Sequence, residues 1–233
     1  MMAATAWVAS IGARRPLSRR GLGVAVVVTA LQGAATHAAC PTGLPIASVG
    51  RLEADTGERC IGTAVANDIV VAPAHCLFTR EGAAIPARAV VFRTRDGTAH
   101  SVLLILRHAD FSTSAGATAR SISVDLSLLV LESGLAQAAP LRTGGWISQG
   151  QLVLVDDMRS EGRSCRIASP VGDLFELDCR LSPGDSGAPV FAVTGCGGVS
   201  LVGLVSAIES KDDANTGIVK RLPDRIIEAW GPQ

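Results

Sequence analysis

Apolar residues in this chain come in short runs broken by turn residues, with little of the three-to-four spacing that marks helices. Ile61–Ala66 and Ile69–Ala72 flank Asn67-Asp68, and Ala87–Arg93 and His100–Arg107 flank Asp96-Gly97; each set predicts a hairpin. Further β-runs are Ser121–Leu131, Gln151–Val155, Pro189–Val193 and Ser200–Ile208, and Val171-Gly172-Asp173 reads as another turn. Only the tail from Leu222 to Trp230 has a helical pattern, with Ile226, Ile227 and Trp230 on one face. Many short strands without βαβ alternation predict an all-β barrel or sandwich. A weak break at Ser133–Pro140 divides the strands into two groups, residues 40–135 and 136–233.

The first 39 residues follow a different pattern. Arg14, Arg15, Arg19 and Arg20 precede the apolar run Gly21–Ala35, and small residues follow at Thr36-His-Ala-Ala39. This is the layout of an export signal. The run is short for a membrane span, so removal is favoured over anchoring and no membrane span is expected afterwards. Ser18-Arg-Arg20 resembles a twin-arginine signal, and Sec export fits as well. The whole chain carries 21 basic and 21 acidic side chains. The signal holds four arginines and no acid, which leaves 17 against 21, a net charge of −4. That balance gives no electrostatic footprint for nucleic acid.

All six cysteines follow the signal, an even number that implies disulfides in a secreted or periplasmic chain. Cys60 and Cys76 are equidistant from residue 68, and Cys165 and Cys179 from Gly172, so symmetrical hairpins would bring each pair together. Cys40 and Cys196 are left to pair by elimination. No Cys-x-x-Cys occurs and the four histidines are scattered, so neither a metal nor another cofactor is expected.

Candidate chemistry centres on Arg180-Leu-Ser-Pro-Gly-Asp-Ser-Gly-Ala-Pro-Val190. A serine hydroxyl becomes a nucleophile when a base takes its proton and N–H groups face the developing oxyanion. The peptides of Gly184 and Ser186 can supply those donors, and Pro183 and Pro189 stiffen the flanks. The candidate base is His75, held by the neighbouring Cys76. Asp125, an acid in the apolar run Ser121–Leu131, is costly to bury unless paired, and a histidine N–H is a suitable partner.

Four segments carry a family resemblance. They are Cys60-Ile-Gly-Thr-Ala-Val65 with Val71-Ala-Pro-Ala-His-Cys76, His108-Ala-Asp-Phe111 with Asp125-Leu-Ser-Leu-Leu129, Gly145-Trp146, and Pro183–Val190. In this order they resemble the trypsin-like (chymotrypsin-fold) serine peptidases, in a bacterial-type exported form. The resemblance implies two antiparallel β-barrels with a short C-terminal helix, His75 and Asp125 from the first and Ser186 from the second. It implies an endopeptidase acting on protein or peptide through an acyl-enzyme, with Ser206, Ile208 and Gly217 lining the substrate pocket. Arg180 stands where the family places its specificity residue, either as a positive floor or turned to solvent. Ser182 replaces a family cysteine, and Ala188 a family glycine. No activation segment is visible, so Arg142 is expected to pair with Asp185 in place of a new N-terminus. A catalytically silent binding module on this fold and an esterase are the alternatives. Oligomeric state is not legible.

Overall fold

The computed structural model describes residues 45–136, 141–159, 162–194, 198–211 and 214–229. The expected export signal, the expected Cys40–Cys196 pairing and Trp230 lie outside them. The described chain is all-β: two closed, six-stranded antiparallel barrels followed by a short helix.

The first barrel is built from β1 (Val49–Ala54), β2 (Arg59–Ala64), β3 (Ile69–Ala72), β4 (Val90–Thr94), β5 (Ala99–Arg107) and β6 (Ser127–Leu131), closed in the order β1-β2-β3-β6-β5-β4. The second uses β7 (Leu152–Val155), β8 (Arg163–Val171), β9 (Leu174–Arg180), β10 (Pro189–Val193), β11 (Val199–Lys211) and β12 (Ala214–Arg221), in the order β7-β8-β9-β12-β11-β10. Each barrel thus repeats the same strand order, although no sequence repeat is visible. Closure removes sheet edges that would otherwise expose unpaired peptide groups.

Strand alternation explains the apolar runs. Val70 and Leu129 point into the first barrel with Leu52, Phe92 and Val102. Their neighbours Val71 and Leu128, with Val49 and Ile61, join the cluster of Phe175, Leu177, Phe191 and Leu201 in the second barrel. Strands buried on both faces read as continuous hydrophobic stretches, and the outward side chains are what hold the barrels together.

The hairpins at Asn67-Asp68, Asp96-Gly97 and Gly172-Asp173 are present, with Thr63 opposite Val71, Phe92 opposite His100, and Val171 opposite Leu174. Disulfides join Cys60 to Cys76 and Cys165 to Cys179, as the symmetry of those hairpins requires.

Four expectations change. Ser121–Leu131 is not one strand: α1 (Ala119–Ser123) takes its first part, and β6 starts only at Ser127. Thr118 and Ser121 form a reciprocal capping box, which outweighs the β preference of the residues that follow. Ala87–Ala89 is a 3₁₀ turn behind Pro86 rather than strand. The strands β1 and β12, which the hydrophobic pattern alone does not mark, complete the barrels. The C-terminal helix α2 (Ile226–Ala229) buries Ile226 but leaves Ile227 40% exposed, so those two do not share a buried face.

Burial also sets a pH dependence. Lys220 on β12 is buried with Nζ 3.5 Å from Asp173, and desolvation lowers its pKa from 10.5 against the opposing pull of that carboxylate. The unfolded chain therefore binds the proton more readily, and this residue's contribution to stability rises as pH climbs toward about 10.5. Lys220→Met, which keeps the apolar stem, is expected to stabilise the fold at neutral pH by about 1 kcal/mol and to flatten that rise. Thermal melts between neutral pH and about pH 10 test this; a lower Tm for the variant at neutral pH would show the ion pair to be dominant.

Candidate active site

His75 lies in a 3₁₀ turn, Ala74–Leu77, at the end of β3, where Pro73 stops the strand from continuing. The Cys60–Cys76 bridge ties that turn to β2. Arg107 reinforces the following loop by donating to the carbonyls of Leu77 and Ile85, at 3.3 and 2.6 Å, with its guanidinium 5.3 Å from the Phe78 ring centre.

Asp125 sits between α1 and β6 and is 3% exposed. It takes two hydrogen bonds from His75: the backbone N–H to Oδ1 at 2.8 Å, and ring Nδ1 to Oδ2 at 2.7 Å. Ser206 of the second barrel donates its hydroxyl to the same Oδ2. Three donors satisfy the buried carboxylate, and two of them fix the plane and tautomer of the imidazole. Ser206 reaches it because β11 shifts register between Val205 and Ala207, which leaves residue 206 out of the ladder with β12.

Ser186 lies in the turn between β9 and β10. Its carbonyl accepts from Ile61 N–H at 2.8 Å, on the strand that Cys60 links to the residue beside His75. Gly187 donates to Val205 O at 2.7 Å, so the turn is pinned by β2 on one side and β11 on the other. A Cβ at Gly187, whose φ is +84°, would stand 1.8 Å from Ile61 O. Only glycine fits.

His75 Nε2 lies 3.5 Å from Cys76 Sγ, and the described residues include no hydrogen bond from Ser186 Oγ to this nitrogen. The structure brings His75, Asp125 and Ser206 into direct contact, and anchors Ser186 beside them through its main chain.

Within the turn, Asp185 N–H bonds Ser182 O and Gly187 N–H bonds Val205 O, whereas the N–H groups of Gly184 and Ser186 have no acceptor among the described residues. Gly184 has φ +94°, a conformation that favours glycine. Asp185 is fully buried and accepts from Ser182 N–H at 2.8 Å. Its charge partner is Arg159, with Nη2 3.1 Å from Oδ1, and not the expected Arg142. Arg142 is exposed, and its carbonyl accepts from Leu201 N–H. The turn between β7 and β8 carries Arg159 to the site, a placement that spacing to Gly145-Trp146 does not reveal.

Compared with protein-family models and with curated proteins, the sequence matches none.

The remaining residues named from the sequence lie on β9, β11 and β12. Ile208 faces Gly217 across the ladder. Leu181, fully buried, fills the space beside Gly217: its Cδ1 stands 2.1 Å from where a Cβ would be built. Arg180 is exposed at the end of β9, opposite Thr216, and its carbonyl accepts from Arg163. The apolar Leu181, not the neighbouring arginine, therefore packs on the glycine. Further along β11, a cavity of about 400 Å³ is lined by Ile122 of α1, Phe175, Ile208, Glu209 and Ile218.

Ligand atoms of Cys60, His75 and Cys76 fall within 4.8 Å of one another. Both sulfurs are spent in the disulfide and are not thiolates, so this trio is not a metal-ligand set. No helix among the described residues is long and apolar enough to cross a membrane.

Proposed function

We propose that this chain is an exported serine endopeptidase of the trypsin-like kind. The observation that carries the reading is the Asp125 carboxylate. It holds the backbone and ring of His75, is fixed by Ser206 from the opposite barrel, and lies beside a glycine-bounded serine turn with two unclaimed N–H donors.

In this reading Ser186 attacks the substrate carbonyl while His75 Nε2 accepts its proton and later returns it to the leaving amine. Asp125 keeps Nδ1 protonated, so that Nε2 presents its lone pair, and it stabilises the imidazolium without taking the proton. Hydrogen bonds of this kind are often loose before substrate arrives, and the imidazole closes on the hydroxyl in the complex. The N–H groups of Gly184 and Ser186 receive the oxyanion. Arg159 supplies the charge that Asp185 requires, so no new N-terminus has to be released. A protein or peptide substrate lies along β11 near Ser206–Ile208. Two disulfides suit an oxidising compartment, in keeping with secretion or a periplasmic location.

The test is covalent labelling by a fluorophosphonate, compared between wild type and Ser186→Ala, together with digestion of a mixed peptide library. Labelling that depends on Ser186, with peptide cleavage, is the expected result. Labelling without cleavage points to an esterase, and absence of labelling to a silent binding module.

A further inference from the structure

Three buried acids and three arginines surround the serine turn, and the catalytic scheme uses only one pair of them. Asp156 and Asp157 follow β7 and are 0% and 4% exposed. Asp156 Oδ1 accepts the N–H of Met158 at 2.9 Å, and Asp157 Oδ1 accepts that of Arg159 at 3.0 Å. These two successive side-chain-to-backbone bonds shape the turn that aims Arg159 at Asp185. The turn is strained at Met158, whose φ is +60°, so it persists only while its surroundings impose it.

Each acid has its own cation. Asp157 Oδ2 is paired with Arg163 Nη2 at 2.6 Å, and Asp185 with Arg159 at 3.1 Å. The cation for Asp156 comes from the other barrel. It is Arg95, in the turn between β4 and β5, whose Nη2 meets Asp156 Oδ1. Asp156 Oδ2 is buried without a hydrogen-bond partner, and Arg95 is the only cation paired with this carboxylate among the described residues. Asp156 also donates its own N–H to Pro189 O at 3.2 Å, three residues past Ser186.

We propose that Arg95, carried by the first barrel, is a positioning residue for the Gly184–Ser186 turn in the second. By neutralising Asp156 it fixes the strained turn that delivers Arg159 to Asp185, so that docking of the two barrels itself sets the oxyanion donors. A buried carboxylate stripped of its only cation is strongly disfavoured. With Arg95 gone, Asp156 is drawn toward water, Met158 relaxes and Arg159 leaves the turn. The proposal rests on the reading of Ser186 as nucleophile.

Arg95→Gln, Arg95→Lys, Asp156→Asn and the double variant Arg95→Gln/Asp156→Asn test it, with kcat and KM measured on a cleaved peptide. Arg95→Gln is expected to lower kcat at least tenfold with KM within about twofold, because oxyanion donors act mainly in the transition state. Arg95→Lys retains most of the rate. The double variant, with both charges removed, is faster than Arg95→Gln, the signature of one coupled pair. It also folds where Arg95→Gln does not, because a neutral amide at position 156 needs no cation, and it is expected to recover most of the wild-type kcat. Wild-type kcat in Arg95→Gln, or a double variant as slow as or slower than Arg95→Gln, would overturn the proposal.

A second measurement is independent of activity. Amide hydrogen exchange in the segment 182–187 is expected to speed up in Arg95→Gln relative to β10. If wild type takes no fluorophosphonate, the reading of Ser186 falls and this exchange alone decides the role of Arg95. Unchanged exchange refutes it.

Discussion

Asp125→Asn is expected to lower kcat by about four orders of magnitude while leaving the barrels folded. An amide offers one acceptor oxygen and one NH₂ group, whereas Asp125 uses two acceptor oxygens for three donors. Whichever way the amide is placed, one of those donors faces another donor. If the NH₂ replaces Oδ2, it forces His75 to carry its proton on Nε2, and the imidazole can no longer accept from Ser186. The cost in stability stays modest, because the His75 backbone keeps Oδ1 and the Ser206 hydroxyl can turn to accept from the new NH₂. The measurement is kcat on a peptide beside a thermal melt. A variant that retains more than about a tenth of the wild-type rate would remove Asp125 from the role of orienting His75.

Gly187→Ala is expected to destabilise the fold by on the order of 4 kcal/mol. Two costs add. The residue has φ +84°, where a side chain is strained, and the new Cβ would stand 1.8 Å from the Ile61 carbonyl oxygen. That contact is backbone on backbone, so no rotamer change relieves it. Relief requires the serine turn to lift from β2, breaking the 2.8 Å bond from Ile61 N–H to Ser186 O. Denaturant unfolding measures the loss, and activity is expected to vanish in the folded fraction as well. A midpoint close to that of wild type would mean that β2 and the turn can separate without penalty.

Much of this arrangement is legible in the sequence because the signals are local. A cysteine beside a histidine, a glycine on each side of Asp-Ser, and cysteines placed symmetrically about a turn each fix their own neighbourhood. The strand pattern also predicts two groups of β-runs. What escapes is non-local. The resemblance names Ser206 as a pocket-lining residue, and its contact with Asp125 depends on a bulge with no mark in the sequence. Arg142 and Arg159 are equal candidates by residue type, and only the path of β7 and β8 places the second against Asp185. The run before Asp125 contains Ile122 and Val124, yet Thr118 and Ser121 cap it into a helix. Arg180 is close to the serine in sequence, but strand alternation turns Leu181 inward in its place.

The pinning of the serine turn also fixes a sequence of events. Ile61 is translated before Ser186, and Val205, the other strap, after it. Until both are in place the main chain at residue 186 is held on one side at most. Assembly of the turn therefore waits for a later strand to finish what an earlier one begins.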